Sequence, residues 1–172
     1  SNIDDKEKVR DYLSKTLSAE NHLLSLINDI LDMSRIESGK MQLEETEVNL
    51  ADVLKDLKTI ASGEINKKQI DLHMDTEDVI NENVYCDKTR LNQVLFNLMS
   101  NAIKFTQFGG AISVRIRQLS GIQDGRTLYE IRVKDNGIGM SPEFAEKIFK
   151  PFERERSSTV SKIQGTGLGM AI

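Results

Sequence analysis

The sequence has no tryptophan, two prolines, two histidines and one cysteine, Cys86. A single cysteine excludes an intrachain disulfide and any cysteine-based zinc site. It reads as a small core or strand-end residue. No apolar run approaches the roughly 18 residues needed to cross a bilayer, and no signal peptide is visible. The expectation is a soluble chain suited to a reducing, cytoplasmic compartment, with Ser1 and Asn2 as a tag remnant and the natural chain beginning upstream. Positive charge is also in short supply: Lys+Arg 23 against Asp+Glu 27 leaves −4. That balance excludes a broad nucleic-acid footprint, which needs clustered cations, but leaves room for a nucleotide pocket served by a few local ones. A length of 172 residues fits one domain, or one small domain with an appended helical segment.

Glycine and proline are missing from the first part of the chain until Gly39. Across that stretch Leu13, Leu17, Leu24, Ile27 and Leu31 recur in a rhythm close to a heptad seam, and Val9, Leu23 and Ile30 widen the stripe. A helix with so broad an apolar face needs partner helices. Gly39 supplies its stop. The remainder alternates between helix and strand patterns: a strand over Met41 to Asn49, a helix over Leu50 to Lys67, a strand over Gln69 to Asp75 and a short extended stretch over Asn83 to Cys86. Asp87 caps a helix reaching about Ile103. Ala111 to Leu119 and Thr127 to Lys134 form a hairpin with a loose tip. Ser141 and Pro142 open a short helix, and Glu153 to Gln164 is a polar loop.

Three clusters carry chemistry. Asn97, Asn101 and Lys104 share one helix face. Amide oxygens are hard ligands for Mg²⁺ and lysine offers a point charge to phosphate, although a polar, solvated helix face has the same pattern. Asp135-Asn136-Gly137-Ile138-Gly139 follows a strand. A carboxylate there can accept from an adenine amino group while the glycines let the backbone approach the ring, or the segment is a plain turn. Gly165-Thr166-Gly167-Leu168-Gly169 follows the polar loop and opens an apparent helix, where backbone N–H groups can face phosphates. The G-x-G-x-x-G and P-loop patterns are both absent. Between the last two clusters, Phe149 and Phe152 read as anchors of the loop root. Arg154 and Arg156 are either surface charges or groups that swing onto a γ-phosphate.

The order of these clusters, with Phe149-Lys150-Pro151-Phe152 between the last two, resembles the nucleotide-binding boxes of the histidine kinase and related ATPase family. The stretch from Asn21 to Lys40 resembles the second helix of that family's dimerisation and phosphotransfer bundle, in wording typical of hybrid sensor kinases. The resemblance implies an α+β chain: a two-layer α/β sandwich of the Bergerat type over residues 41–172, behind a bundle helix over residues 1–40. It implies ATP and Mg²⁺ as cofactors. Asn97 and Asn101 would hold the metal, Lys104 would contact phosphate, and Phe105, Phe149 and Phe152 would line the nucleotide site. Asp135 would recognise adenine, Gly137 and Gly139 would shape the pocket, Arg154 would reach the γ-phosphate, and Gly165, Thr166, Gly167, Leu168 and Gly169 would cradle the triphosphate. The implied partners are a response regulator or receiver domain and a second copy of the parent protein, which could be membrane-anchored.

Asn97 bears on the reaction. ATP-hydrolysing relatives usually place a glutamate there as general base, and an asparagine cannot accept that proton. Neither His22 nor His73 is followed by the acidic and Arg-Thr-Pro-like residues of a phosphoacceptor, so the resemblance implies that the acceptor helix lies upstream and that further strands follow Ile172. On that expectation the piece is inactive alone. The rivals are an ATPase or serine kinase sharing the pocket, and an inactive dimerisation or interaction fragment.

Overall fold

In the computed structural model, residues 6–123, 126–153 and 167–172 are described. The elements in chain order are α1 (Lys6–Glu37), β1 (Thr46–Asn49), α2 (Leu50–Lys67), β2 (Asp71–Glu77), β3 (Asn83–Cys86), α3 (Lys88–Phe105), β4 (Ala111–Gln123), β5 (Arg126–Asp135) and α4 (Pro142–Ala145).

Local signals account for most of these boundaries. The glycine- and proline-free stretch is one uninterrupted helix, and the chain leaves it at Gly39, whose φ of 64° is the left-handed conformation that ends helices. Asn49 caps α2 by accepting from the N–H groups of Ala51 and Asp52. Asp87 caps α3 through the Arg90 N–H, and Ser141 caps α4 through that of Phe144. The strand expected from Met41 is shorter than its pattern. The Glu44 N–H donates to the Asp87 carboxylate at 3.0 Å instead of entering a ladder, and pairing begins only at Thr46. Past the glycine triplet, the described residues make a turn in which the Ala171 and Ile172 N–H groups both donate to the Leu168 carbonyl.

Two sheets result. β1 and β3 form an antiparallel pair, while β2, β4 and β5 form a mixed sheet in the order β2-β4-β5. β2 runs parallel to β4, with Leu72 opposite Ile112 and Met74 opposite Val114, and β5 returns antiparallel, with Val133 opposite Val114. Both strands of the hairpin run further than their sequence patterns, with a register shift between Gln118 and Ile122. α2 and α3 cover one face. Val53, Leu57, Leu95, Met99, Val114 and Ile116 are buried between the layers. Each such aliphatic side chain contributes about 1.5–3 kcal/mol by leaving water. The other face is charged: Arg115 donates to both oxygens of Asp75 and to Glu77. This is the two-layer α+β sandwich that the resemblance implied.

The two sides of α1 differ in burial. The seam residues Leu13, Leu17, Leu24, Ile27 and Leu31 are all exposed. On the other side Asp32 is only 8% exposed, its Oδ2 accepting from Arg90 Nη1 at 2.6 Å and from Gln93 Nε2 at 3.0 Å. The stalk therefore meets α3 through a charge-assisted cluster and keeps its apolar seam outward. The Arg90 hydrogen bond holds the Asp32 carboxyl below the usual carboxylate range. Burial, then the charge of Asp32, pushes Asp29 up.

A depressed carboxylate stabilises the fold fully above its unfolded pKa and loses that contribution as pH falls through the folded value. Asp32→Asn should cost about 2 kcal/mol at pH 7. The gap to wild type should close as acid protonates Asp32, measured as urea midpoints at successive pH values. A pH-independent gap would show that the charge is not what matters.

Candidate active site

α3 is the element on which the chemistry-bearing clusters converge. Asn97, Asn101 and Lys104 occupy one face at successive turns, and all three are half-buried. Asn97 Nδ2 donates to the Gly169 carbonyl at 2.8 Å. A Cβ on residue 169 would lie 3.3 Å from Asn97 Cγ, so glycine there lets the last segment approach the amide closely. With its nitrogen engaged by the protein, the polar atom that the Asn97 amide can offer a cation is its oxygen. One turn on, Asn101 presents a second amide. The Lys104 ammonium lies 5.3 Å from the centroid of the Phe105 ring, a cation–π distance.

The Asp135 segment docks on the C-terminal end of the same helix. Asp135 is exposed at the end of β5, and its Oδ1 accepts the Gly137 N–H at 2.9 Å, closing an Asx turn. The segment is fastened to α3 by the Ile138 N–H, which donates to the Phe105 carbonyl at 3.2 Å. It is fastened to β4 by Asn136, whose N–H donates to the Ala111 carbonyl while its Oδ1 accepts the Ala111 N–H. A Cβ on Gly137 would sit 2.5 Å from the Phe105 carbonyl oxygen, so this backbone approach requires glycine. Gly139, with φ of 68°, has open space beside it.

The third cluster is described from Gly167 onward. Gly167 (φ 73°) accepts the Phe152 N–H at 2.9 Å, and a Cβ on it would come within 2.9 Å of the Glu153 carbonyl. Leu168 is buried. This corrects the role first given to the two phenylalanines. The rings of Phe149 and Phe152 are 70% and 68% exposed, so the root of the loop is closed by main-chain hydrogen bonding and not by their burial. Arg154, Arg156, Gly165 and Thr166 lie outside the described residues.

Among the described residues no three His, Cys, Asp or Glu side chains gather as a metal site. Asn97 and Asn101 carry neutral amide oxygens on one face of α3. These suit Mg²⁺, a hard cation that completes its shell with water and phosphate oxygens.

Sequence reasoning missed Lys68. Its ammonium donates to the carbonyls of Ile103 at 2.7 Å, Lys104 at 3.1 Å and Thr106 at 3.0 Å. In the sequence it is one of two lysines ending a helix, and no spacing rule ties it to residues so distant in the chain.

Gly137→Ala is expected to force the Asp135 segment off Phe105 and to cost about 1–3 kcal/mol, read from chemical denaturation. Wild-type stability together with an unchanged Ile138 amide shift would contradict the close approach.

The segment from Cys86 to the end of the chain, residues 86–172, matches the family described as histidine kinase-, DNA gyrase B-, and HSP90-like ATPase. Over 169 residues, 98% of this chain, the sequence is 32% identical to the autoinducer 2 sensor kinase/phosphatase LuxQ of Vibrio harveyi, and it spans 19% of that protein's length. Among solved structures, full-length ShkA in complex with AMPPNP superposes with a TM-score of 0.74 at 29% identity, over 94% of this chain and 32% of that one. The histidine kinase ThkA in complex with response regulator protein TrrA superposes with a TM-score of 0.59 at 30% identity, over 78% of this chain and 38% of that one. No helix among the described residues is long and apolar enough to cross a membrane. The matched segment contains α3 and the clusters that converge on it, and the chain belongs to the histidine kinase-, DNA gyrase B-, and HSP90-like ATPase family.

Proposed function

We propose that this chain is the ATP-binding catalytic region of a sensor histidine kinase, with residues 1–40 contributing a helix of the dimerisation bundle and residues 41–172 the nucleotide-binding unit. The observation that carries the reading is the convergence on α3: Asn97 is hydrogen-bonded to the glycine-rich segment and Phe105 to the Asp135 segment. One helix thereby joins the groups suited to metal and phosphate to the carboxylate suited to adenine.

In this reading the second oxygen of Asp135 accepts the adenine amino group, since Oδ1 is engaged by Gly137. Gly137 and Gly139 admit the ring, beside Phe105 and the exposed rings of Phe149 and Phe152. Asn97 and Asn101 hold Mg²⁺ through amide oxygens, and that ion neutralises phosphate charge when bound. Lys104 and the backbone from Gly165 through Thr166, Gly167 and Leu168 to Gly169 receive the phosphates, with Arg154 at the γ-phosphate. The phosphorus–oxygen bond to ADP breaks as a histidine nitrogen takes the phosphoryl group, which then passes to an aspartate of a response regulator or receiver domain. Positioning and charge neutralisation supply the catalysis.

Asn97 favours transfer to a side chain over hydrolysis, because an amide cannot deprotonate water. His73 is a poor acceptor. It lies in β2, opposite Ser113 and hydrogen-bonded to Asp75 on the charged face of the sheet, with α3 on the other. His22 lacks the acceptor motif, so in this reading the acceptor histidine belongs to another segment, and the exposed α1 seam suits a homodimer that would present it. Such a protein would work in the cytoplasm, whether or not its parent is membrane-anchored. ThkA, crystallised with a response regulator, supports that class of partner.

Calorimetric titration with AMPPNP and Mg²⁺ should show binding, weakened about tenfold by Asp135→Asn. Unchanged affinity would remove Asp135 from the adenine site. A longer protein carrying the acceptor should acquire acid-labile, base-stable phosphate from labelled ATP. Release of inorganic phosphate with no labelled protein would favour the ATPase alternative, and absence of nucleotide binding would favour a pure interaction fragment.

A further inference from the structure

We propose that Lys68 is a positioning residue for the adenine side of the nucleotide site, a role that rests on the ATP-binding reading above. Lys68 stands at the C-cap of α2, where Gln69 turns the chain with a φ of 51°. Its ammonium has three donors, and the structure gives each a main-chain carbonyl at the end of α3: Ile103, Lys104 and Thr106. The intervening carbonyl, that of Phe105, accepts the Ile138 N–H instead and is the atom against which Gly137 packs. The carbonyls of this turn are thus divided between a lysine on one side and the adenine-recognition segment on the other. Lys68 also accepts the Gly109 N–H through its own carbonyl at 2.9 Å, so it grips the α3–β4 turn from both ends.

The electrostatics favour this placement. A helix C-terminus carries partial negative charge on its last carbonyls, and an ammonium satisfies them at the point where no intrahelical donor remains. Removing the ammonium releases three carbonyls at once. The turn keeps its main-chain bonds but loses the three that direct it from the α2 side, and Gly137, Ile138 and Asp135 are held less firmly relative to Asn101 and Lys104. Lys68 touches no nucleotide in this scheme. It acts through Phe105.

The test compares wild type with Lys68→Met and Lys68→Arg in the same chain, at a temperature where circular dichroism shows each folded. Two quantities are read: affinity for AMPPNP with Mg²⁺, and amide hydrogen exchange at Ile138 relative to Val114 in the core of β4. Lys68→Met should bind AMPPNP about tenfold more weakly. Ile138 exchange should accelerate at least as much while Val114 keeps its protection, and Lys68→Arg should restore part of both. A merely structural lysine would accelerate both amides together and leave the affinity of the folded protein unchanged, which would overturn the proposal. Should Lys68→Met not fold, Lys68→Gln carries the same comparison. Wild type that binds no AMPPNP would sink the nucleotide reading itself, whereas binding by wild type with equal affinity in the variant would sink only the role of Lys68.

Discussion

The end of α3 is where this structure is most constrained. A helix that stops inside a packed domain leaves carbonyls without intrahelical donors, and buried carbonyls must be satisfied. Here the run from Ile103 to Thr106 meets that demand from two directions, an ammonium from the end of α2 and a main-chain N–H from the loop after β5. Two segments distant in sequence are thereby locked to one turn of α3. The position of Asp135 relative to Asn101 and Lys104 follows from that lock.

The same helix explains how the stalk and the site are related. Arg90, Gln93, Asn97, Asn101 and Lys104 recur at three- and four-residue steps, so they form one stripe along α3. Asp32 of α1 holds the beginning of the stripe, and the glycine-rich segment touches it at Asn97. A polar face is a reasonable one for a stalk to meet. Charge-assisted hydrogen bonds there are directional, and they leave the broad apolar seam of α1 for helices that can bury it.

Much of the fold was legible because its signals are local. Asp87 and Ser141 each cap the helix that their residue type and position announce, and Gly39 ends α1 by taking the left-handed backbone conformation open to glycine. Asn49, in sequence only the end of a strand pattern, also caps α2. The alternation in β4 and β5 likewise places Val114 and Ile116 inward and Arg115 outward. The readings that needed correction concern competition between partners. Glu44 has a strand-like neighbourhood, but the carboxylate of Asp87, having capped α3, still has an oxygen to offer and takes its N–H. The Phe149 and Phe152 rings look like anchors by composition, yet main-chain bonding to Gly167 already closes that junction.

The helices, the Asp87 and Ser141 caps, the alternating strands, the polar stripe of α3 and the glycines where backbone must come close can be read along the chain. These depend on residue type and on spacings of a few positions, which periodicity records. The tertiary structure decided that Asp32 meets Arg90 and Gln93, that Asn97 meets Gly169, and that Lys68 and Ile138 divide the carbonyls at the end of α3. Those bonds join residues separated by as many as 72 positions. A lysine ending one helix or an aspartate within another carries no mark of which distant donor or acceptor it will meet. Only the packing of α2 and α3 on the sheet, driven by apolar burial that is indifferent to direction, brings the partners within hydrogen-bonding reach.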